Sequence, residues 1–152
     1  MPQTGFLGTT APWTADITLL LELALGVGLL AGALLARAGR YRLHAACQSV
    51  IVLLNLVLIV LTMFASFHRE VLPKLPGRIG KPFYAFAATH AVLGGITELG
   101  SLYILLAAGT TLLPEKLRIR RYKFWMRGAL FLWWIVLLLG LATYVLWYVP
   151  RR

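Results

Sequence analysis

Four separate runs of about twenty mostly apolar residues divide this 152-residue chain, and no other feature constrains its fold as strongly. They cover roughly residues 17–36, 44–67, 83–110 and 126–149. Each run is long enough to cross about 30 Å of hydrocarbon as an α-helix. Backbone groups in lipid must form their hydrogen bonds internally, and the runs lack the two-residue alternation of barrel strands. The sequence therefore predicts an all-α fold, a four-helix transmembrane bundle with up-down-up-down topology and a single domain.

The composition excludes the main alternative classes of protein. Hydrophobic residues make up 60% of the chain and charged residues only 13%, whereas a soluble domain has about 45–50% and about 25%. Intrinsic disorder requires low hydrophobicity, so it is excluded as well. Cys47 is the single cysteine, which leaves no internal disulfide and no CxxC metal or redox pair. No serine, cysteine or phosphate-loop motif of a known catalytic type is present, and we do not expect an enzyme.

The net charge of +10 indicates a membrane surface rather than nucleic acid, because the basic residues lie in the connections between apolar runs. The first and third connections share one side and carry nine of them: Arg37, Arg40, Arg42, Lys116, Arg118, Arg120, Arg121, Lys123 and Arg127. The other side carries six: Arg69, Lys74, Arg78, Lys81, Arg151 and Arg152. The positive-inside rule then predicts that both termini lie outside a bacterial or archaeal cytoplasmic membrane.

The segments outside the spans are expected to be short. Residues 1–16 form an outer N-terminal tail that lacks the basic region of a secretory signal, and residues 150–152 form an outer C-terminal tail. Asp16 is a candidate cap for the first helix. The second connection, residues 68–82, is rich in proline and glycine and predicts an ordered, non-helical outer loop. Small residues let membrane helices approach closely, and Gly28 and Gly32 have the GxxxG spacing.

Polar residues within the spans are the most informative part of the sequence, because they are costly in lipid unless they are paired or hydrated. In the second span, His44, Gln48, Asn55 and Thr62 fall on one face of a helix. Such a stripe must face protein or water. The remaining polar positions are Glu22 in the first span and His90, Thr97, Glu98 and Ser101 in the third.

Depth along the helices sorts these groups into three levels. Glu22, His68 and His90 lie near the outer face, Asn55 and Glu98 near the middle, and His44 and Gln48 near the inner face. Imidazole and carboxylate ligands suit copper, iron or zinc, so the outer set is a candidate metal site. The simpler alternative is that His68 is interfacial and His90 bonds a neighbouring helix.

Two other roles for the polar residues stay open. A haem b could be ligated by His68 and His90, while His44 has Met126 as its only candidate partner near the inner face. Alternatively, Gln48, Asn55 and Glu98 could form a polar relay or simply pack the helices together. Trp133 and Trp134 lie deep in the fourth span. They could stack on a flat cofactor, but packing against a partner subunit or lipid is the commoner role.

The chain from about residue 17 to 149 resembles the small four-helix membrane proteins of the CtaM/YozB type, a family of unknown function linked to haem-copper oxidase maturation. The matching segments are RYRLH at 40–44, MFASFH at 63–68, YAFAATH at 84–90, LWW at 132–134, and Gly140 with Tyr144. The resemblance implies that His44, His68 and His90 bind haem or metal. The family pattern has a further histidine before the fourth helix, where this chain has RRYK at 120–123.

These observations predict a non-enzymatic accessory or assembly subunit of a respiratory or photosynthetic electron-transfer complex. Its polar core would bind haem b, copper or iron, or relay protons, and its partners would be the lipid bilayer and other membrane subunits. One alternative is a small b-type cytochrome with haem on His68 and His90. A second is a purely structural membrane subunit.

Overall fold

Residues 5–150 are described in the computed structural model of the chain, and this part forms four long helices. They are α1 (Trp13–Arg37), α2 (Tyr41–Arg78), α3 (Pro82–Gly109) and α4 (Tyr122–Tyr148). Each is long and apolar enough to cross a bilayer. The predicted four-helix transmembrane bundle is confirmed, and the protein is an integral membrane protein.

Glycine and proline mark several of the helix ends. The turn between α1 and α2 contains Gly39, whose φ of +74° is a left-handed conformation that favours glycine. Pro82 lies in the first turn of α3, where a backbone N–H has no hydrogen-bond partner within the helix. The N–H that proline lacks is therefore not needed there. Residues 110–121 connect α3 to α4 and contain one short 3-10 turn, Glu115–Leu117.

The second helix is longer and less regular than the sequence predicted. It is α-helical over Tyr41–Leu58, contains π-helical turns at Ile59–Met63 and Phe67–Val71, and ends with a 3-10 turn and one α-turn that reaches Arg78. Pro73 and Pro76 each lie in the first turn of one of these last two segments, where proline is tolerated. The prediction of a non-helical loop over residues 68–82 is therefore wrong.

The four helices form a closed ring in which each packs against two neighbours. α1 contacts α2 and α4, and α3 contacts α2 and α4. Leu25, Leu29, Ile51, Val52 and Trp133 form a buried cluster at the centre, to which α1, α2 and α4 contribute. Leu102 and Leu105 of α3 complete the cluster, so all four helices meet there.

Two smaller clusters lie near the ends of the bundle. At the end where α1 begins and α4 ends, here called the terminal end, Val71, Tyr84 and Ala87 pack with Phe83 and Trp147. The Phe83 and Trp147 rings are stacked, with centroids 4.4 Å apart. Near the opposite end, a third cluster contains Ile104, Ala107, Ile119, Tyr122 and Met126.

The GxxxG pair lies at the contact between α1 and α2. A Cβ atom on Gly28 would lie 2.9 Å from Cδ1 of Ile51, and a Cβ on Gly32 would overlap the amide of Gln48. The close approach of the two helices therefore depends on these glycines. By contrast, a Cβ on Gly100 would meet no atom within 4 Å.

Candidate ligand-binding cavity

A cavity of about 450 Å³ lies inside the bundle, and side chains from all four helices line it. Pro12 and Tyr148 border it near the terminal end, whereas Asn55, Glu98 and Trp133 border it near the middle of the bundle. Small-molecule sites in proteins measure about 300–1,000 Å³ and often lie between the helices of bundles. The cavity is therefore large enough for a small organic ligand.

The cavity wall is mostly apolar and carries a few polar groups. Its aromatic residues include Phe67, Trp133 and Trp147. Glu22 from α1 and His90 from α3 are among its polar residues. Apolar walls with a few placed polar groups are typical of ligand sites.

Asn55 and Glu98 join α2 to α3 at the deep end of the cavity. The Asn55 amide Nδ2 donates a hydrogen bond to Glu98 Oε2 at 3.0 Å, and the two side chains are only 6% and 3% exposed. Asn55 Oδ1 and Glu98 Oε1 have no hydrogen-bond partner within the described residues. A buried acceptor without a partner costs about 1–3 kcal/mol.

His90 contributes a third polar group to the cavity. Its Nδ1 forms a 3.0 Å hydrogen bond with the carbonyl oxygen of Val136. Because a carbonyl can only accept, Nδ1 is the protonated nitrogen, and a neutral ring leaves Nε2 as an acceptor. Gly140 provides space for the ring, since a Cβ there would lie 2.9 Å from Cε1 of His90. The expectation that His90 bonds a neighbouring helix is confirmed.

Trp133 lies at the deep end of the cavity and inside the bundle. Its indole Nε1 donates to Ser101 Oγ at 2.9 Å, and Ser101 Oγ donates to the carbonyl oxygen of Thr97 at 2.8 Å. The side chain is 8% exposed. Packing of Trp133 against lipid or a partner subunit is therefore wrong.

Asp16 forms a buried network at the terminal end that sequence reasoning missed. Its Oδ1 accepts a 2.5 Å hydrogen bond from the Tyr144 hydroxyl, and its Oδ2 accepts one from the backbone N–H of Leu7 at 2.9 Å. The Tyr144 hydroxyl also lies 2.9 Å from Thr9 Oγ1. The residue that caps α1 is Pro12, so the prediction of Asp16 as a helix cap is wrong. Asp16 instead ties residues 7–9 to α4.

The polar residues near the start of α2 bind the backbone of α1. His44 Nδ1 is hydrogen-bonded to the carbonyl oxygen of Gly32 at 2.8 Å, and Gln48 Nε2 donates to that of Leu29 at 3.4 Å. Met126 packs elsewhere, in the cluster with Ile104 and Ala107. The predicted pairing of His44 with Met126 is therefore wrong, whereas His44 and Gln48 of the α2 polar stripe face protein, one of the two environments predicted for it.

His68 does not take part in the cavity. It is exposed on α2, where it stacks on Phe64 with ring centroids 6.1 Å apart, and it is not among the residues that line the cavity. The bundle therefore does not bring His68 and His90 to a common space for haem. Among residues 5–150 there is also no group of three or more His, Cys, Asp or Glu placed to hold a metal ion. The predicted metal set of Glu22, His68 and His90 is not assembled.

Comparison of the chain with models of protein families, with curated proteins and with solved structures found no match. The resemblance to the CtaM/YozB type therefore stays a prediction.

Proposed function

We propose that this protein is a non-enzymatic accessory subunit of the membrane that binds a small, mostly apolar ligand in the cavity by the polar end of that ligand. One observation carries the proposal. Two buried oxygen atoms at the deep end of an apolar cavity of about 450 Å³, Asn55 Oδ1 and Glu98 Oε1, have no hydrogen-bond partner within residues 5–150.

The unpaired atoms argue against a polar core that serves only to hold the helices together. A structural core is expected to satisfy its buried polar atoms, since an unsatisfied one is costly. The other polar pairs of the bundle follow that rule: Trp133 bonds Ser101, and His90 bonds the Val136 carbonyl. A ligand that donates hydrogen bonds would satisfy Asn55 and Glu98, while its apolar part filled the rest of the space.

A larger side chain in the wall of the cavity is expected to exclude the ligand. Ala91 lines the cavity, and an Ala91→Leu variant should lower the occupancy about tenfold, because an oversized side chain in a filled site costs about 1–3 kcal/mol. Native mass spectrometry of the protein extracted from cells would count the bound small molecules. Ala31→Leu is the matched control, because Ala31 is exposed on α1. An adduct equally abundant in both variants, or no adduct on the unmodified protein, would contradict the proposal.

We also propose a place for this subunit in a respiratory complex that contains a haem-copper oxidase. The support is the resemblance of residues 40–44, 63–68, 84–90 and 132–134 to the CtaM/YozB type. A strain without the gene is expected to lose most of its haem-copper oxidase activity, measured as oxygen consumption by isolated membranes, and to regain it with the intact gene. Succinate dehydrogenase activity in the same membranes is the control. Unchanged oxygen consumption would contradict this placement.

A further inference from the structure

We propose that the ligand is an organic cation, a protonated primary amine with an apolar body. This inference rests on the proposed function and adds the chemical class of the ligand. It follows from the charge of the cavity, from the type of its unpaired atoms, and from its aromatic wall.

The cavity is lined by acidic side chains, although the chain as a whole is basic. The protein carries a net charge of +10, yet the cavity is lined by the carboxyl groups of Glu22 and Glu98. In the described part of the chain, no lysine or arginine lines the cavity. An anionic ligand would meet two carboxyl groups at low dielectric with no basic side chain to offset them. A cation would instead meet carboxyl groups that can carry the opposite charge. The cavity therefore favours positive charge.

The unpaired atoms require hydrogen-bond donors. Asn55 Oδ1 is an acceptor, and Glu98 Oε1 accepts when the carboxyl group is ionised, the form that a bound cation beside it favours. A primary ammonium has three N–H donors and no acceptor, so it can donate to both of these atoms at once. A hydroxyl has only one donor, and a quaternary ammonium has none.

The wall of the cavity suits the rest of such a ligand. Trp133, Tyr144 and Trp147 line the cavity together with aliphatic side chains. Aromatic faces attract cations and also pack well against an apolar body. A small aromatic amine would thus place its ammonium beside Asn55 and Glu98 and its ring in the apolar part of the cavity.

Three probes with one naphthalene body separate these contributions. They are 1-naphthylmethylammonium, its N,N,N-trimethyl analogue and the neutral 1-naphthylmethanol. The intact protein in phosphatidylcholine nanodiscs would be titrated with each by calorimetry at neutral pH, and empty nanodiscs would give the background. We expect the primary ammonium to bind about tenfold more tightly than either of the others, because only the primary ammonium has both a positive charge and several N–H donors.

Variants test which groups recognise the charge. Glu98→Gln keeps the size of the side chain and is expected to weaken ammonium binding about tenfold, while naphthylmethanol binding changes by less than about twofold. Glu22→Gln tests the second carboxyl group and is expected to change the affinities in the same direction. Glu115→Gln is the matched control, because Glu115 is exposed in the connection between α3 and α4. Equal loss of ammonium binding in the Glu115 control would overturn the assignment.

The outcomes distinguish this inference from the proposed function. If naphthylmethanol binds as tightly as the ammonium and Ala91→Leu removes both, the cavity binds ligands but does not select amines, and only this inference fails. If no probe binds above the empty nanodiscs, both proposals fail. If the trimethyl analogue matches the primary ammonium, the assignment of N–H donors to Asn55 and Glu98 is overturned.

Discussion

Replacement of Trp133 by alanine is expected to destabilise the bundle by about 3–5 kcal/mol. Trp133 is 8% exposed and packs against Leu25, Leu29 and Ile51 at the point where all four helices meet. Because lipid is as apolar as this core, the decrease in the free energy of unfolding comes from lost packing contacts and from the void that the smaller side chain leaves. The measurement is unfolding in mixed micelles with increasing sodium dodecyl sulfate, followed by circular dichroism.

Two further variants separate packing from the hydrogen bond of Trp133. Trp133→Phe retains most of the ring volume and loses the bond to Ser101, so a smaller destabilisation of about 1 kcal/mol is expected. Trp125→Ala is the matched control, because Trp125 is 54% exposed near the start of α4. If Trp133→Ala and Trp125→Ala shift the unfolding midpoint equally, the central position of Trp133 in the core is wrong.

Replacement of Asp16 by alanine is expected to release the N-terminal segment from the terminal end of the bundle. The substitution removes the acceptor for the Tyr144 hydroxyl and for the backbone N–H of Leu7. Loss of a hydrogen bond to a charged acceptor, together with the unpaired donors, should speed amide hydrogen exchange of the segment around Leu7 at least about tenfold. Hydrogen exchange in nanodiscs, read by mass spectrometry of N-terminal peptides, measures this directly.

Two experiments serve as controls for the Asp16→Ala prediction: a substitution in a surface ion pair and a double-mutant cycle. Glu70 lies 3.5 Å from Lys74 on α2, both side chains are about half exposed, and Glu70→Gln should leave the N-terminal exchange unchanged. Tyr144→Phe should speed the exchange less than Asp16→Ala, because the bond from Leu7 to Asp16 remains. If the network is coupled, the effects of the two substitutions will not add in the double variant. Strict additivity would contradict a shared network.

The positions of the helices were predictable because they depend on local properties of the chain. The length of each apolar run and the prolines near residues 82 and 114 predicted α3, which begins at Pro82 and ends at Gly109. The spacing of His44, Gln48 and Asn55 predicted a face turned towards protein, and each of the three bonds a neighbouring helix. The prediction failed at the end of α2, where Pro73 and Pro76 lie in first turns that tolerate proline.

The partners of the polar side chains were decided by tertiary structure. Sequence gives the depth of a residue through the rise per residue, but depth alone placed His68 beside His90 and His44 beside Met126. Which side chains meet depends on the rotation of each helix about its axis and on the order of helices around the ring. π-helical turns at Ile59–Met63 and Phe67–Val71 change that rotation along α2, and the polar sequence pattern does not reveal them.

The hydrogen bond between Asp16 and Tyr144 is another contact that the tertiary structure decided and the sequence did not predict. Asp16 and Tyr144 are 128 positions apart, and only the packing of α1 against α4 brings them into contact. The sequence by itself determined that this chain crosses a membrane as four helices with a polar interior, because apolar length and residue spacing are local. Only the tertiary structure decided that Glu22, Asn55, His90 and Glu98 share one cavity, because that depends on contacts between distant segments.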